Sequence, residues 1–145
     1  MGAGKPRVVL DTNVLISALG WKGPERRLYR ACLSGTIQLC ISFPLVEELL
    51  RVMSYPKLGF SVQDRQTMIQ DIFRIGYFPS SLPALEVVKE DPADDQVLAC
   101  ALASEAGWIV TGDAHLLRLR SFRGLPILRA ADLLQRLEEA SQGHR

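Results

Sequence analysis

Residues 7–20 read RVVLDTNVLISALG, and a change of period within them decides the fold. RVVLD, residues 7–11, is a short apolar run ending on an acid and predicts a buried strand. NVLISALGW after it carries helical spacing until Gly20 to Pro24 breaks it. Strand followed at once by helix is the opening of an α/β unit.

The same alternation continues outward from this stretch. Pro24 opens a second helix through about Ser34, closed by Gly35. IQLCIS, residues 37–42, reads as a second buried strand, and Ser42 and Pro44 start a helix to about Met53. YPKLGF makes a turn, Ser61 caps a helix over about 62–75, and Gly76 ends it. Tyr77 to Val88 holds at most a short strand near Tyr77 and Phe78. Asp91 and Pro92 then give an N-cap and first helical residue for a helix to about Ala106. WIVTGD, residues 108–113, and LPILRA, residues 125–130, are the remaining strands, and a last helix covers about Ala131 to Ala140. The order predicts a three-layer α/β/α sandwich on a central, mostly parallel sheet.

The chain has 145 residues, 48% apolar and 23% charged, which suits one domain over 1–145 with flexible ends at 1–6 and 141–145. A folded chain of this length buries roughly 68–70% of its unfolded surface, enough for a core without staples. Cys32, Cys40 and Cys100 are odd in number and lack a CxxC pair, so neither a disulfide framework nor a zinc knuckle is expected, and a reducing cytoplasm fits. The apolar stretch Val8 to Leu19 is interrupted by Asp11 and Asn13, which suits neither a signal peptide nor a membrane span. Pro6 stands where a myristoylation signal needs Ser or Thr.

In sheets of this kind, functional groups gather beyond the carboxyl ends of the strands. Asp11 and Asp113 both end strands there, although each could equally cap the helix that follows. A third acid comes from the helix after Pro92, whose inward stripe reads Leu98, Ala99, Leu102, Ala103 and Ala106. At about 100° per residue Asp95 projects near the middle of that stripe and Asp94 at its edge. Asp95 is therefore the preferred ligand and Asp94 the second choice, explained otherwise by the helix dipole. Glu47 and Glu48 flank the apolar face of their helix on opposite sides, and periodicity does not choose between them.

A cluster of carboxylate oxygens without His or Cys selects hard divalent ions, Mg²⁺ or Mn²⁺, rather than zinc. Such ions acidify water for attack on a phosphodiester and stabilise charge on the phosphate. Thr12, Asn13 and Thr111 flank the acids and could orient them, though each is also an ordinary turn or cap residue. Lys plus Arg total 17 against 16 acids, so the net charge of +1 excludes a strongly basic DNA-coating protein. The sum hides segregation: from Ala114 to Ala131 there is no acid, while Arg118, Arg120, Arg123 and Arg129 fall within it. Arg118, Arg120 and Arg123 are candidate phosphate contacts, with a second basic group at Lys22, Arg26, Arg27 and Arg30. His115 could touch a substrate phosphate, and Trp21 and Phe122 could stack on bases, although solvent-facing or packing roles are commoner for all three.

Four segments in this order, VVLDTNVLISAL, ISFPLVEELLRVM, DPADDQVLACALASEAGWIVTGDAHLL and PILRAADLL, resemble the PIN domain nucleases over nearly the whole chain. The resemblance implies a metal-dependent ribonuclease whose acids match Asp11, Glu48 (ahead of Glu47), Asp95 and Asp113, with Asn13 as the small polar residue after the first. It implies Mg²⁺ or Mn²⁺ as cofactor and RNA as substrate. The chain is most similar to VapC-like toxins of toxin–antitoxin pairs, which implies a homodimer and an antitoxin partner. Many relatives carry a further acid shortly after the last aspartate; here Ala114 and His115 stand there, which bears on a second metal ion. The alternative is a PIN-fold module that binds RNA or protein without cutting. An aspartyl-phosphate enzyme fits less well, since Thr12 and Asn13 follow Asp11 instead of a second aspartate.

Overall fold

A computed structural model describes residues 4–86 and 92–142. Strand β1 (Arg7–Leu10) leads into α1 (Thr12–Gly20) and α2 (Pro24–Leu33), then β2 (Gln38–Cys40) and α3 (Phe43–Met53). A 3₁₀ turn at Pro56–Leu58 precedes α4 (Val62–Ile75), followed by α5 (Pro92–Ala103), β3 (Trp108–Val110), α6 (Ala114–Leu119), β4 (Ser121–Phe122), β5 (Leu125–Leu128) and α7 (Ala130–Gln142). The sheet order is β2-β1-β3-β5-β4, parallel throughout except for β4 on β5. This is the mostly parallel α/β architecture the alternation predicts.

Burial follows from that topology. Parallel strands joined by helical crossovers are covered on both faces and read as unbroken apolar runs. Val8, Val9, Leu10, Leu39, Cys40, Ile109 and Val110 are all at most 1% exposed. The covering layers pack among themselves: α1 against α2 and α3, α7 against α2, and α5 against β1 and β3. The three cysteines lie in this core as free thiols, and burial pushes Cys32 and Cys100 up to about 12, far from the reactive thiolate range. Among the described residues no helix is long and apolar enough to cross a membrane.

Local chemistry explains the boundaries. Ser61 caps α4 by accepting from the Asp64 N–H at 3.0 Å, and Pro24 sits at the first turn of α2. The expected caps Asp91 and Pro92 differ in standing: α5 begins at Pro92, and Asp91 lies outside the described residues. Helix α5 stops at Ala103, three residues before the predicted Ala106. Glu105 adopts φ 51°, with Glu105 N–H donating to Leu102 O and Ala106 N–H to Ala101 O. That is a Schellman ending with Glu where glycine is usual, so Gly107 is a misleading stop signal.

Two elements go beyond the sequence reading. Helix α6 follows Asp113, and β4 pairs antiparallel with β5 through a turn at Arg123 (φ 50°) and Gly124 (φ 83°). Two positive φ values define the tight hairpin turn normally announced by Asn-Gly; here Arg occupies the first place, which hides it. The strand expected near Tyr77 is a single parallel bridge to Cys40, held by Tyr77 N–H to Leu39 O at 2.8 Å and Ile41 N–H to Tyr77 O at 3.0 Å. Gly76 is required there, since a Cβ would lie 2.6 Å from the Ile72 carbonyl oxygen.

Candidate metal centre

The sheet order places β2 on one side of β1 and β3 on the other, so the crevice at the carboxyl ends of β1 and β3 is the topological switch point where α/β proteins bind ligands. Val110 pairs with Leu10, and the Asp11 N–H donates to Val110 O at 2.9 Å. This register sets Asp11 beside Thr111. The Asp11 carboxylate accepts from Thr12 N–H at 2.7 Å, Thr111 Oγ1 at 2.8 Å and Asn13 Nδ2 at 3.0 Å.

Three donors on one carboxylate ordinarily stabilise its ionised form. Burial outweighs them here: Asp11 is held above the usual carboxylate range by desolvation, opposed by Thr111 and Thr12 and reinforced by the charges of Glu48 and Asp113. A buried, donor-wrapped carboxylate facing other acids is a group made for a cation.

The expected flanking residues form one lattice around it. The Thr111 hydroxyl, besides donating to Asp11, accepts the Asp113 N–H at 2.9 Å. Asn13 Oδ1 accepts the Gly112 N–H at 2.8 Å, and a Cβ on Gly112 would come to 3.3 Å from that oxygen, so glycine permits the approach of the two loops. Thr12 Oγ1 donates to Glu48 Oε2 at 2.6 Å. Glu48 thus turns toward the cleft, with only a loose pair to Arg51 at 3.8 Å on its outer side, worth little at a surface. Glu47 is exposed. Leu45, Val46, Leu49 and Met53 are the buried stripe of α3, whereas Leu50 is 44% exposed. The face is therefore rotated toward Glu48, which the pattern alone leaves open.

Asp113 Oδ1 accepts from the His115 and Leu116 N–H groups at 2.8 and 3.2 Å, capping α6. Asp11 likewise caps α1. Capping and clustering are thus combined in the same two side chains.

On α5 the structure departs from the stripe argument. Asp94 lines a cleft of about 400 Å³ together with Asp11, Glu48 and Asp113. Asp95 is also buried but is not among the residues lining that cleft. Val97, Leu98, Ala99, Cys100 and Ala101 are all at most 2% exposed. Of residues 93–103 only Gln96 is exposed, with Ala93, Leu102 and Ala103 half-buried, so the dry run covers more than a full turn of α5 and projection onto an apolar stripe does not separate Asp94 from Asp95. Carboxylate oxygens of Asp94 and Asp113 and a ring nitrogen of His115 lie within 4.8 Å of one another.

The expected phosphate contacts are placed differently. Arg118, Arg120 and Arg123 are exposed and do not line the acidic cleft. Lys57 and Tyr55 line it instead, and Arg129 lines an adjoining pocket of about 390 Å³ that shares Asn13, Ser17 and Asp113 with the cleft. Lys57 and Tyr55 carry no periodic signal, because they reach the site from a turn. The basic group on α2 serves structure in part: Arg26 donates to the Ala18 and Leu19 carbonyls at the end of α1, and Arg27 pairs with Glu138 at 3.1 Å. Trp21 packs edge-on against Phe60 at 6.4 Å and the Arg123 guanidinium covers Phe122 at 5.1 Å.

Set beside known proteins, residues 7–115 match a family model, PIN_3, described as PIN domain. Among solved structures, the PIN domain endonuclease Utp24 shares 20% identity over 83% of this chain and 82% of its own, with a TM-score of 0.46. No curated protein matches the chain.

Proposed function

The chain belongs to the PIN domain family, and from that premise we propose that it is a divalent-metal-dependent endoribonuclease in which Asp11, Glu48, Asp94 and Asp113 are the metal ligands and catalytic carboxylates. The observation that carries the reading is the convergence of these four acids, from four separate segments, on one cleft at the switch point of the sheet. The donor set fits the ion: hard carboxylate oxygens suit Mg²⁺ or Mn²⁺, and Asp11, kept above the usual carboxylate range by burial, gains its missing countercharge from a cation.

When bound, the ion supplies Lewis-acid polarisation of the phosphate and activation of water. The chain does the rest. Thr111, Asn13 and the Thr12 N–H hold the Asp11 carboxylate in one orientation. Thr12 holds Glu48 in the same way. Lys57 on one flank and Arg129 on the other meet phosphates of the strand, so that RNA crosses the acids with its backbone charge neutralised on either side.

The test is cleavage of RNA with Mn²⁺ by the purified protein beside Asp11→Asn and Asp94→Asn variants. A loss of at least about 100-fold, some 2.7 kcal/mol of transition-state stabilisation, is expected for each. Equal cleavage by all three overturns the reading, and cleavage by none of them leaves a binding module. On the resemblance, the proposal extends to a single domain over 1–145 acting in the cytoplasm as a homodimeric toxin silenced by an antitoxin. Growth arrest on expression, relieved by Asp11→Asn, is its expected mark.

A further inference from the structure

Where many PIN nucleases are expected to place another acid after the last aspartate, this chain has His115. Its ring is partly solvent-facing, with one nitrogen turned inward. The side chain is 38% exposed, but Nδ1 is buried and has no hydrogen-bond partner among the described residues. It stands 3.7 Å from Asp113 Oδ1. Its backbone N–H donates to that same oxygen at 2.8 Å, so the turn at the start of α6 fixes ring and carboxylate relative to each other. With the Asp94 carboxylate they form the one group of three potential ligands within 4.8 Å among the described residues.

Two ligands of one octahedral ion stand roughly 3 Å apart when adjacent and about 4.2 Å apart when opposite, given metal–oxygen distances of about 2.1 Å. The 3.7 Å separation lies inside that interval. A buried nitrogen without a partner beside carboxylates costs free energy unless something occupies its lone pair. Its neighbours are carboxylates, which cannot donate when ionised.

We propose that His115 is a nitrogen ligand of the ion held by Asp94 and Asp113, and that this imidazole biases the site toward Mn²⁺ or a later transition ion over Mg²⁺. The inference rests on the metal-centre reading above and adds to it the identity of a ligand and the order of metal preference. Imidazole in place of a carboxylate removes a negative charge, on which Mg²⁺ binding depends. It adds a softer donor, which first-row transition ions accept and Mg²⁺ takes poorly.

The probe is Mn²⁺ itself. Calorimetry establishes binding, and electron spin-echo modulation of the bound ion reads directly coupled ¹⁴N. The chain has two histidines, His115 and His144, so His144→Gln is the control. The expected result is nitrogen coupling in the wild type and in His144→Gln and none in His115→Gln, with the ratio of Mn²⁺ to Mg²⁺ affinity falling on the order of tenfold in the latter. Bound Mn²⁺ without nitrogen coupling in the wild type overturns the proposal while leaving the carboxylate site standing. So does coupling that persists in His115→Gln. Absence of Mn²⁺ binding by the wild type overturns both readings. The wild-type spectrum decides without any variant having to fold.

Discussion

Helices α3 and α5 each bring an acid to the cleft, and they do so from opposite kinds of surroundings. On α3 the buried residues Leu45, Val46, Leu49 and Met53 form one stripe, and Phe43, Glu47 and Leu50 face solvent. On α5 the run Val97 to Ala101 is buried on every side. A helix with one wet face orients its polar residues by exclusion, because an uncompensated charge avoids the dry side. On α5 only Gln96 of residues 93–103 is exposed, so exclusion gives far less direction. Asp94 and Asp95 are both buried, and the packing of α5 on β1 and β3 determines which of them lines the cleft with Asp11.

The largest expected effect tests that contrast where it is sharpest. Asp94→Asn should lower RNA cleavage by at least about 100-fold, while Asp95→Asn should stay within about threefold of wild type under the same Mn²⁺ conditions. Reversed magnitudes would return the ligand to the position chosen by the stripe. Next comes packing, read by urea denaturation. Ala101→Leu forces bulk into a fully closed environment and should cost about 1–3 kcal/mol, whereas Leu50→Ala on the wet side of α3 should stay within about 0.5 kcal/mol. Equal costs would mean that α3 is covered as α5 is.

On α3 itself, Glu48→Gln should reduce cleavage about tenfold, roughly 1.4 kcal/mol, and Glu47→Gln should change it little; loss of activity in both would break the assignment by Thr12. The smallest effect is thermal. The Asp11 carboxyl is raised in the folded protein above its ordinary value, so its contribution to stability is fully present at acid pH and is lost as pH climbs through the folded value. Metal-free wild type should therefore lose melting temperature relative to Asp11→Asn between about pH 4 and neutrality, by roughly a few degrees. Added Mn²⁺, which binds the ionised form, should restore it. A difference between the two proteins that does not vary with pH would show that burial does not raise the Asp11 carboxyl.

Most of the architecture is legible because its signals are local. The apolar runs at residues 7–11 and 108–113, the Pro24 start of α2, the Gly35 turn with φ 84° and the Ser61 cap each work within a few residues of chain. Features missed are those where an unusual residue does a usual job: Glu105 in the position of a glycine at the end of α5, and Arg123 in the position of an asparagine in the β4–β5 turn. Left-handed backbone at such residues is strained in isolation and is held by the hydrogen bonds around it, such as Ala106 N–H to Ala101 O.

The site divides in the same way. That Asp11 and Asp113 end strands at one rim of the sheet follows from sequence, since an apolar run delivers the next polar residue to a rim; that the two strands are neighbours is a matter of the sheet order. The mutual distance of the two aspartates, the Thr12 bond that turns Glu48 toward the cleft, the lining of the cleft by Asp94 rather than Asp95, the arrival of Lys57 and Arg129, and the approach of Asp94 to Asp113 and His115 are tertiary. Sequence alone determined the alternation of the principal strands and helices, though not α6 or β4, and the acidic character of the candidate site, because hydrophobic period and residue chemistry are properties of neighbouring residues. Only the tertiary structure decided which acid of each adjacent pair lines the cleft, because a side chain on a helix packed into the core takes its direction from contacts with segments far away in the chain.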